Sequence, residues 1–379
     1  MKNNFKNNKL FTIGVEEEYM ICSPENFELI DMAEDIMENL DLEFKDRYSY
    51  ELLLSEIESN TPICNNVDQC INEVSKLRLN LKKNGLKLGF NVGISGTHPT
   101  ANPAKQNFID NESYEWVKNQ LKYYASQNIT FSTHVHIGLN DPQIALNIAN
   151  VVRCWIAPLL ALSSNSPFFN GFLTGMESSR TFQFGIFPRT NIAHAIKDVD
   201  EYESIINNFI DTGAISKPRQ IWWKIRPHVE YGTIEFRIFD VQRSLRNTRM
   251  IVAICQALVH RIYTDISNNV KFNDYNMEYL NDSLWKSASK GFDAIITNPI
   301  NEKSISIYDM VNSMLEYIYP SLLYFGTHDV KYDIDRILKN GNEAQKQLDI
   351  YNSFGMDSLK KYLVDAVEYN LGGEKCQEK

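Results

Sequence analysis

The sequence predicts an α+β fold built on a mainly antiparallel sheet, and three observations carry that prediction. Strand-like segments alternate irregularly with helical patterns of unequal length, unlike the even βα repeat of a doubly wound parallel sheet. Several of those segments put apolar residues on one face and ionisable residues on the other, as half-buried antiparallel strands do. Neither G-x-x-x-x-G-K-S/T nor G-x-G-x-x-G occurs, so the phosphate-binding turns of the common parallel folds are missing from the sequence.

Taken in order, segments 11–21, 52–61, 86–94, 130–139 and 221–241 read as strands, with period-two or continuous apolar character. A helix is expected over 67–83, where Val67, Cys70, Ile71, Val74, Leu77 and Leu81 recur at the spacing of one helix face. Asp141-Pro142 opens another, an N-cap followed by proline at the first helical position, running into Ile144, Ile148, Val151, Val152 and Trp155. Similar patterns lie at 200–211, 247–265, 306–319 and 355–370. No repeat recurs and no Pro/Gly/Ser-rich linker divides the chain, which points to one large domain with a helical section from about 246.

The 379 residues are 43% hydrophobic and 23% charged, an ordinary globular composition that can bury a large core. A net charge of −10 argues against nucleic acid or an anionic membrane bound through a broad basic face, and favours small-molecule partners. The basic start MKNNFKNNKL leads into an apolar stretch broken at Gly14, so no signal peptide is expected. The longest apolar segment, Val151 to Leu162, contains Arg153 and Pro158 and reads as too short for a membrane span. Six cysteines, at 22, 64, 70, 154, 255 and 376, form no C-x-x-C and read as thiols of a reducing cytoplasm.

The chemistry emerges when the strands are read by alternate residues. Glu16 and Glu18 share a face, Glu56 and Glu58 share another, His134 and His136 a third, and Glu235 and Arg237 a fourth. Each of these faces could simply meet water. Their residue types argue for a different environment, because side-by-side carboxylates repel unless cations lie between them. Oxygen-rich sets with few nitrogens suit Mg²⁺ or Mn²⁺, and Mg²⁺ commonly arrives with phosphates. An arginine two residues from a ligand carboxylate can fork onto a phosphoryl group, so the sheet reads as a platform for metal ions and ATP.

Six blocks in order then resemble the bacterial carboxylate–amine ligases, also called glutamate–cysteine ligase type 2: GVEEEYMI at 14–21, LLSEIESNTPIC at 53–64, GTHP at 96–99, THVHIGL at 133–139, ALSSNSPFFNG at 161–171 with SSR at 178–180, and IRPHVEYGTIEFRIFD at 225–240. The resemblance covers about the first 240 residues. It implies a glutamine synthetase-like catalytic fold, in which a curved antiparallel sheet forms a funnel over two or three divalent ions. By the same resemblance, Glu16, His134 and Glu235 would hold the ion that bridges the ATP phosphates. Glu18 and Glu58, with Glu51, would hold the ion near the amino-acid substrate, and Arg237 would contact the transferred phosphoryl. Glu51 lies an odd seven residues before Glu58, so a bulge or an approach from a preceding loop is needed.

Four further residues carry two readings each. His136 either faces nucleotide or is a hydrogen-bonded sheet residue, and His98 either shapes the substrate pocket or closes a turn. Arg180 and Arg226 are carboxylate or phosphate clamps, or else ordinary ion-pair arginines. Glu17 faces away from the platform, and Glu56 is a partner of the ligand carboxylates. Together with the undivided chain and the scattered cysteines, the resemblance points to a single cytoplasmic catalytic domain, 1–379, with the site in 1–245 and helices 246–379 packed on it, and leaves room for a homo-oligomer. The implied reaction joins the γ-carboxylate of glutamate to the amine of cysteine through an acyl phosphate. The alternatives are a metal-dependent guanidino or phosphoryl transferase on the same fold and a nucleotide-binding regulator.

Overall fold

A computed structural model describes residues 5–6 and 8–365. Its centre is a seven-stranded sheet containing β1 (Ile13–Cys22), β2 (Tyr48–Tyr50), β3 (Glu56–Asn60), β4 (Asn91–Gly93) and β5 (Ser132–Gly138). Two further short strands, β6 (Phe168–Phe169) and β7 (Phe172–Leu173), pair with each other as a separate hairpin. The chain then returns to the main sheet as β8 (Ile225–His228) and β9 (Thr233–Asp240). Strand order is β2-β3-β1-β5-β9-β8, with β4 paired to the end of β1, and each of these pairings is antiparallel.

The apolar positions of the strands, among them Ile13, Val15, Val135, Ile137, Ile234 and Phe236, are buried on the back of the sheet. They share one core with the helices Pro142–Val152, Ile156–Ser163, Leu245–Ser267 and Ile307–Phe325. A helical stretch over 142–163 has the length and hydropathy of a membrane span, which Val151–Leu162 alone does not. Of its most apolar window, 78% is buried inside the protein, so it serves here as a core element.

Local signals explain most boundaries. The Asp141 carboxylate accepts from the Ile144 N–H with Pro142 at the first helical position, and Asn66 caps the helix Val67–Leu88 through the Gln69 N–H. That helix runs to Leu88 and ends at Gly89, whose φ of 84° closes its last turn. The strand expected at 86–94 therefore shrinks to β4. The strand expected at 52–61 becomes β3, and the short β2 before it was not anticipated. Segment 221–241 is a hairpin turning at Gly232, where φ is 66°. The helix expected at 355–370 is the second half of Glu343–Val364, which kinks at Gly355; positions 366–370 lie outside the described residues, as does Cys376. The other five cysteines are buried free thiols.

Candidate active site

The register sets the chemistry of the front face. Glu18 pairs with Glu58 across β1–β3, Glu16 with His134 across β1–β5, and His136 with Glu235 across β5–β9. A β-bulge follows, because Val135 pairs with Phe236 but Thr133 with Phe239, which places an extra residue of β9 next to Arg237. Glu51 immediately follows β2, and β2 runs antiparallel to β3 with Ser49 opposite Glu58. Glu51 thus reaches the face of Glu58 from a neighbouring strand, which removes the parity problem of a seven-residue spacing.

Glu16, Glu18, Glu51, Glu58, His134 and Arg237 line a cavity of about 600 Å³ together with Glu56, Ser132, Arg180, Arg226, Tyr231, Phe184 and Trp222, while His136 and Glu235 are buried. Three trios bring their ligand atoms within 4.8 Å of one another: Glu16–His136–Glu235, Glu16–Glu58–His134 and Glu18–Glu51–Glu58. The third is the set expected around Glu18. The first differs from the expected set, with His136 rather than His134 grouped with Glu16 and Glu235. The reason is register: His136 stands directly across from Glu235, whereas His134 stands across from Glu16 and reaches Glu58 beyond it.

His136 also provides the test of whether this site fits a cation. Its Nδ1 is 2.9 Å from Thr233 Oγ1, whereas its buried Nε2 has no hydrogen-bond partner. That atom lies 3.3 Å from Glu16 Oε1, out of line for a hydrogen bond, and 3.8 Å from Glu235 Oε1. An imidazole nitrogen aimed between two carboxylates with nothing to donate to fits a divalent ion. His134 is held differently, by Glu16 through Nδ1 at 3.0 Å and by the Ser132 hydroxyl at Nε2, 2.8 Å away. Ser132 also donates its backbone N–H to Glu18 Oε2 at 2.6 Å, fixing that carboxylate. Ser132 was missed in the sequence, although it lies one alternation before His134 on the same face.

The charges divide the cavity. At the β2–β3 end, burial together with the charges of Glu18 and Glu56 pushes Glu51 well above the carboxylate range. Burial, Glu18 and Glu58 do the same to Glu56, and burial, Glu16 and Glu51 to Glu58. At the β8–β9 end burial acts the same way but loses. Arg226 and Arg237 hold Glu235 well below its ordinary value, and His136 and His134 do so for Glu16. Carboxylates crowded at one end suit cations, and the guanidinium-lined end suits anionic oxygens.

The expected arginines separate by what they already hold. Arg226 is occupied: Nε donates to Glu235 and Nη1 to the carbonyls of Arg219 and Ile221, which makes it an ion-pair residue in the cavity wall. Arg237 donates Nη1 to Glu235 and keeps a buried, unpartnered Nε. Arg180 reaches the carbonyls of Arg237 and Ile238 at 3.2 and 3.4 Å, also with its Nε free. His98 does not join them. It is absent from the cavity wall; Nε2 lies 2.9 Å from the Phe27 carbonyl and Nδ1 accepts the Ala101 N–H, so it closes a turn. Blocks 96–99, 161–171 and 178–180 are largely scaffold. The Asp240 carboxylate accepts from Asn165 N–H, Ser166 and Ser178, and a Cβ at Gly96 would come within 2.7 Å of it.

Comparison with known proteins agrees with this geometry. The model of glutamate–cysteine ligase family 2 (GCS2) matches residues 12–362. A protein of Solibacter usitatus provisionally named glutamate–cysteine ligase 2 is 31% identical over 364 residues, 95% of this chain and 94% of that protein. One of the same provisional name from Herpetosiphon aurantiacus is 32% identical over 345 residues, 91% of this chain and 90% of its own. In fold, the chain resembles the crystal structure of glutamate–cysteine ligase from Francisella tularensis in complex with AMP, with a TM-score of 0.75 and 12% identity over 96% of this chain and 89% of that one. It also resembles the complex of the prokaryotic ubiquitin-like protein Pup with its ligase PafA, at TM-score 0.53 and 12% identity, over 94% and 68%. The fold is therefore the glutamine synthetase-like one. Because the family pattern runs almost the whole length of the chain, ending only in the last helix behind the sheet, the chain belongs to glutamate–cysteine ligase family 2.

Proposed function

We propose that the chain is an ATP-dependent carboxylate–amine ligase that joins the γ-carboxylate of L-glutamate to the amine of L-cysteine and releases ADP and phosphate. The observation that carries this reading is the cavity itself: three carboxylate-rich trios on one sheet face, with Arg237 and Arg180 in the wall beside them. A γ-carboxylate oxygen of glutamate attacks the γ-phosphorus of ATP, the bond to the β,γ-bridging oxygen breaks, and ADP leaves. The amine then attacks the acyl carbon of the γ-glutamyl phosphate, the C–O bond breaks, inorganic phosphate departs, and the attacking nitrogen loses one proton to give the amide.

Two or three Mg²⁺ or Mn²⁺ ions, held by Glu16, His136 and Glu235, by Glu16, Glu58 and His134, and by Glu18, Glu51 and Glu58, would neutralise phosphate charge. The chain's own residues do the rest. Ser132 holds Glu18, and Arg226 holds Glu235 in the correct direction. Arg237 is positioned to meet charge that develops on the transferred phosphoryl, a donor in place before the reaction begins. The bulge beside it and the carbonyl contacts of Arg180 set its direction. The cysteines take no part, and a cytoplasmic location is supported by five buried thiols with no disulfide among the described residues. The same reading takes 1–379 as a single catalytic domain, supported by the core that the helices after residue 245 share with β1, β5 and β9.

The test is product identity. Purified protein with Mg²⁺, ATP, glutamate and a panel of amines should produce ADP, phosphate and an amide, with turnover requiring both glutamate and amine. AMP and pyrophosphate would mean adenylate chemistry and reject the proposal. A phosphoguanidine product would replace it with a transferase, and no turnover with any amine would leave a nucleotide binder.

A further inference from the structure

The hairpin between β8 and β9 carries an aromatic pair that the reaction as written does not use. The Tyr231 ring stacks on the His228 imidazole with centroids 4.3 Å apart and planes 5° from parallel. The Tyr231 N–H donates to His228 Nδ1, and the edge of His136 meets both rings, at 5.5 Å from His228 and 5.7 Å from Tyr231. His228 is buried, which fixes the ring that backs Tyr231. The turn is pinned from outside as well: Asn8 donates to the carbonyls of Tyr231 and Gly232, and Leu139 N–H to that of Gly232. Tyr231 is nevertheless 58% exposed and lines the large cavity. One face of its ring is covered by His228, so the open face is the other one.

A rigid, half-exposed aromatic ring backed by a second ring is built to receive a third flat group. Its place in the sheet says which. β2 and β8 are the two edges, and the crowded carboxylates Glu51, Glu56 and Glu58 belong to the β2 side. Tyr231 belongs to the β8 side, next to the His136 trio and the arginines that suit phosphate. From β5, which carries His136, to β8 is two strand spacings, about 10 Å. That is the reach of an extended nucleotide from its phosphates to its base.

We propose that the open face of Tyr231 is the platform on which the purine base of the nucleotide stacks. The inference rests on the ATP-dependent reading above. It orients the substrates: base at the β8 edge, phosphates over β5 and β9, and the amino-acid substrates toward β2.

The test separates base from phosphates. Binding of Mg–ADP and of Mg–tripolyphosphate, which has the phosphates without the base, is measured by calorimetry on the parent, Tyr231→Ala and Tyr231→Phe. Tyr231→Ala should weaken Mg–ADP by about 10- to 100-fold and leave Mg–tripolyphosphate within about twofold, the size of one base–aromatic stack. Tyr231→Phe, which keeps the ring, should bind both as the parent does. In turnover, Tyr231→Ala should raise the KM for ATP with little change in kcat at saturation. Equal weakening of both ligands would make the hairpin a scaffold, and unchanged ADP binding would put the base elsewhere; either overturns the platform while leaving the ligase reading intact. A parent that binds neither ligand would overturn the ATP-dependent reading and the platform with it.

Discussion

Arg78→Met is the most informative single perturbation of the fold, because it removes a charge from behind the same strand that carries the site. Arg78 Nε and Nη2 fork onto the Glu17 carboxylate at 2.8 and 2.7 Å, both side chains about 1% exposed. Nη2 also donates to the Gln242 carbonyl at 2.8 Å and Nη1 to that of Arg243 at 3.0 Å. Without the guanidinium, Glu17 keeps only the hydroxyls of Tyr19 and Thr248 as partners, and two carbonyls lose their donor. Breaking a buried pair from one side costs about 3–5 kcal/mol. For 379 residues the unfolding entropy is about 0.8 kcal/mol/K, so the melting temperature should fall by about 4–6 °C. The measurement is melting of metal-free protein, with Glu17→Gln and the double variant completing a cycle. The double variant should recover part of the loss, since it leaves no unpaired buried charge. A single-variant shift below about 1 °C, or a double variant whose losses simply add, would show that the pair does not hold β1 to the helix Val67–Leu88.

Two further predictions concern the front of the same sheet. Glu58→Gln should remove Mg²⁺-dependent turnover yet melt higher than the parent without metal, because it relieves repulsion among buried carboxylates. Glu58 has its folded-state pKa raised by burial, Glu16 and Glu51, so it lowers metal-free stability as pH rises from the ordinary carboxylate range through the raised value; the glutamine variant should lose that slope in pH-dependent melting, and a destabilised variant would contradict the assignment. Arg237→Lys should lower kcat by about 10² to 10³ with the KM for glutamate little changed, since lysine lacks the fork. A defect confined to glutamate KM would move Arg237 from the phosphoryl group to the substrate pocket.

Much of this protein could be read from the order of its residues. Alternation alone assigned Glu16, Glu18, Glu58, His134, Glu235 and Arg237 to one side of their strands and Glu17 to the other, because side-chain direction along a strand has a period of two. The Asp141-Pro142 start was legible for the same kind of local reason, a cap that satisfies the first free N–H groups of its own helix. What the sequence could not determine was everything that depends on which strand lies beside which. Register decided that His136, not His134, joins Glu16 and Glu235, and a short unforeseen strand brought Glu51 to Glu58. Tertiary packing likewise sent His98 to a turn, occupied Arg226 with Glu235, and placed Arg237 and Arg180 in the cavity wall, each with a buried Nε that has no partner. Strand partners are chosen by contacts between residues far apart in the chain, and no local pattern in either partner encodes the rung at which they meet.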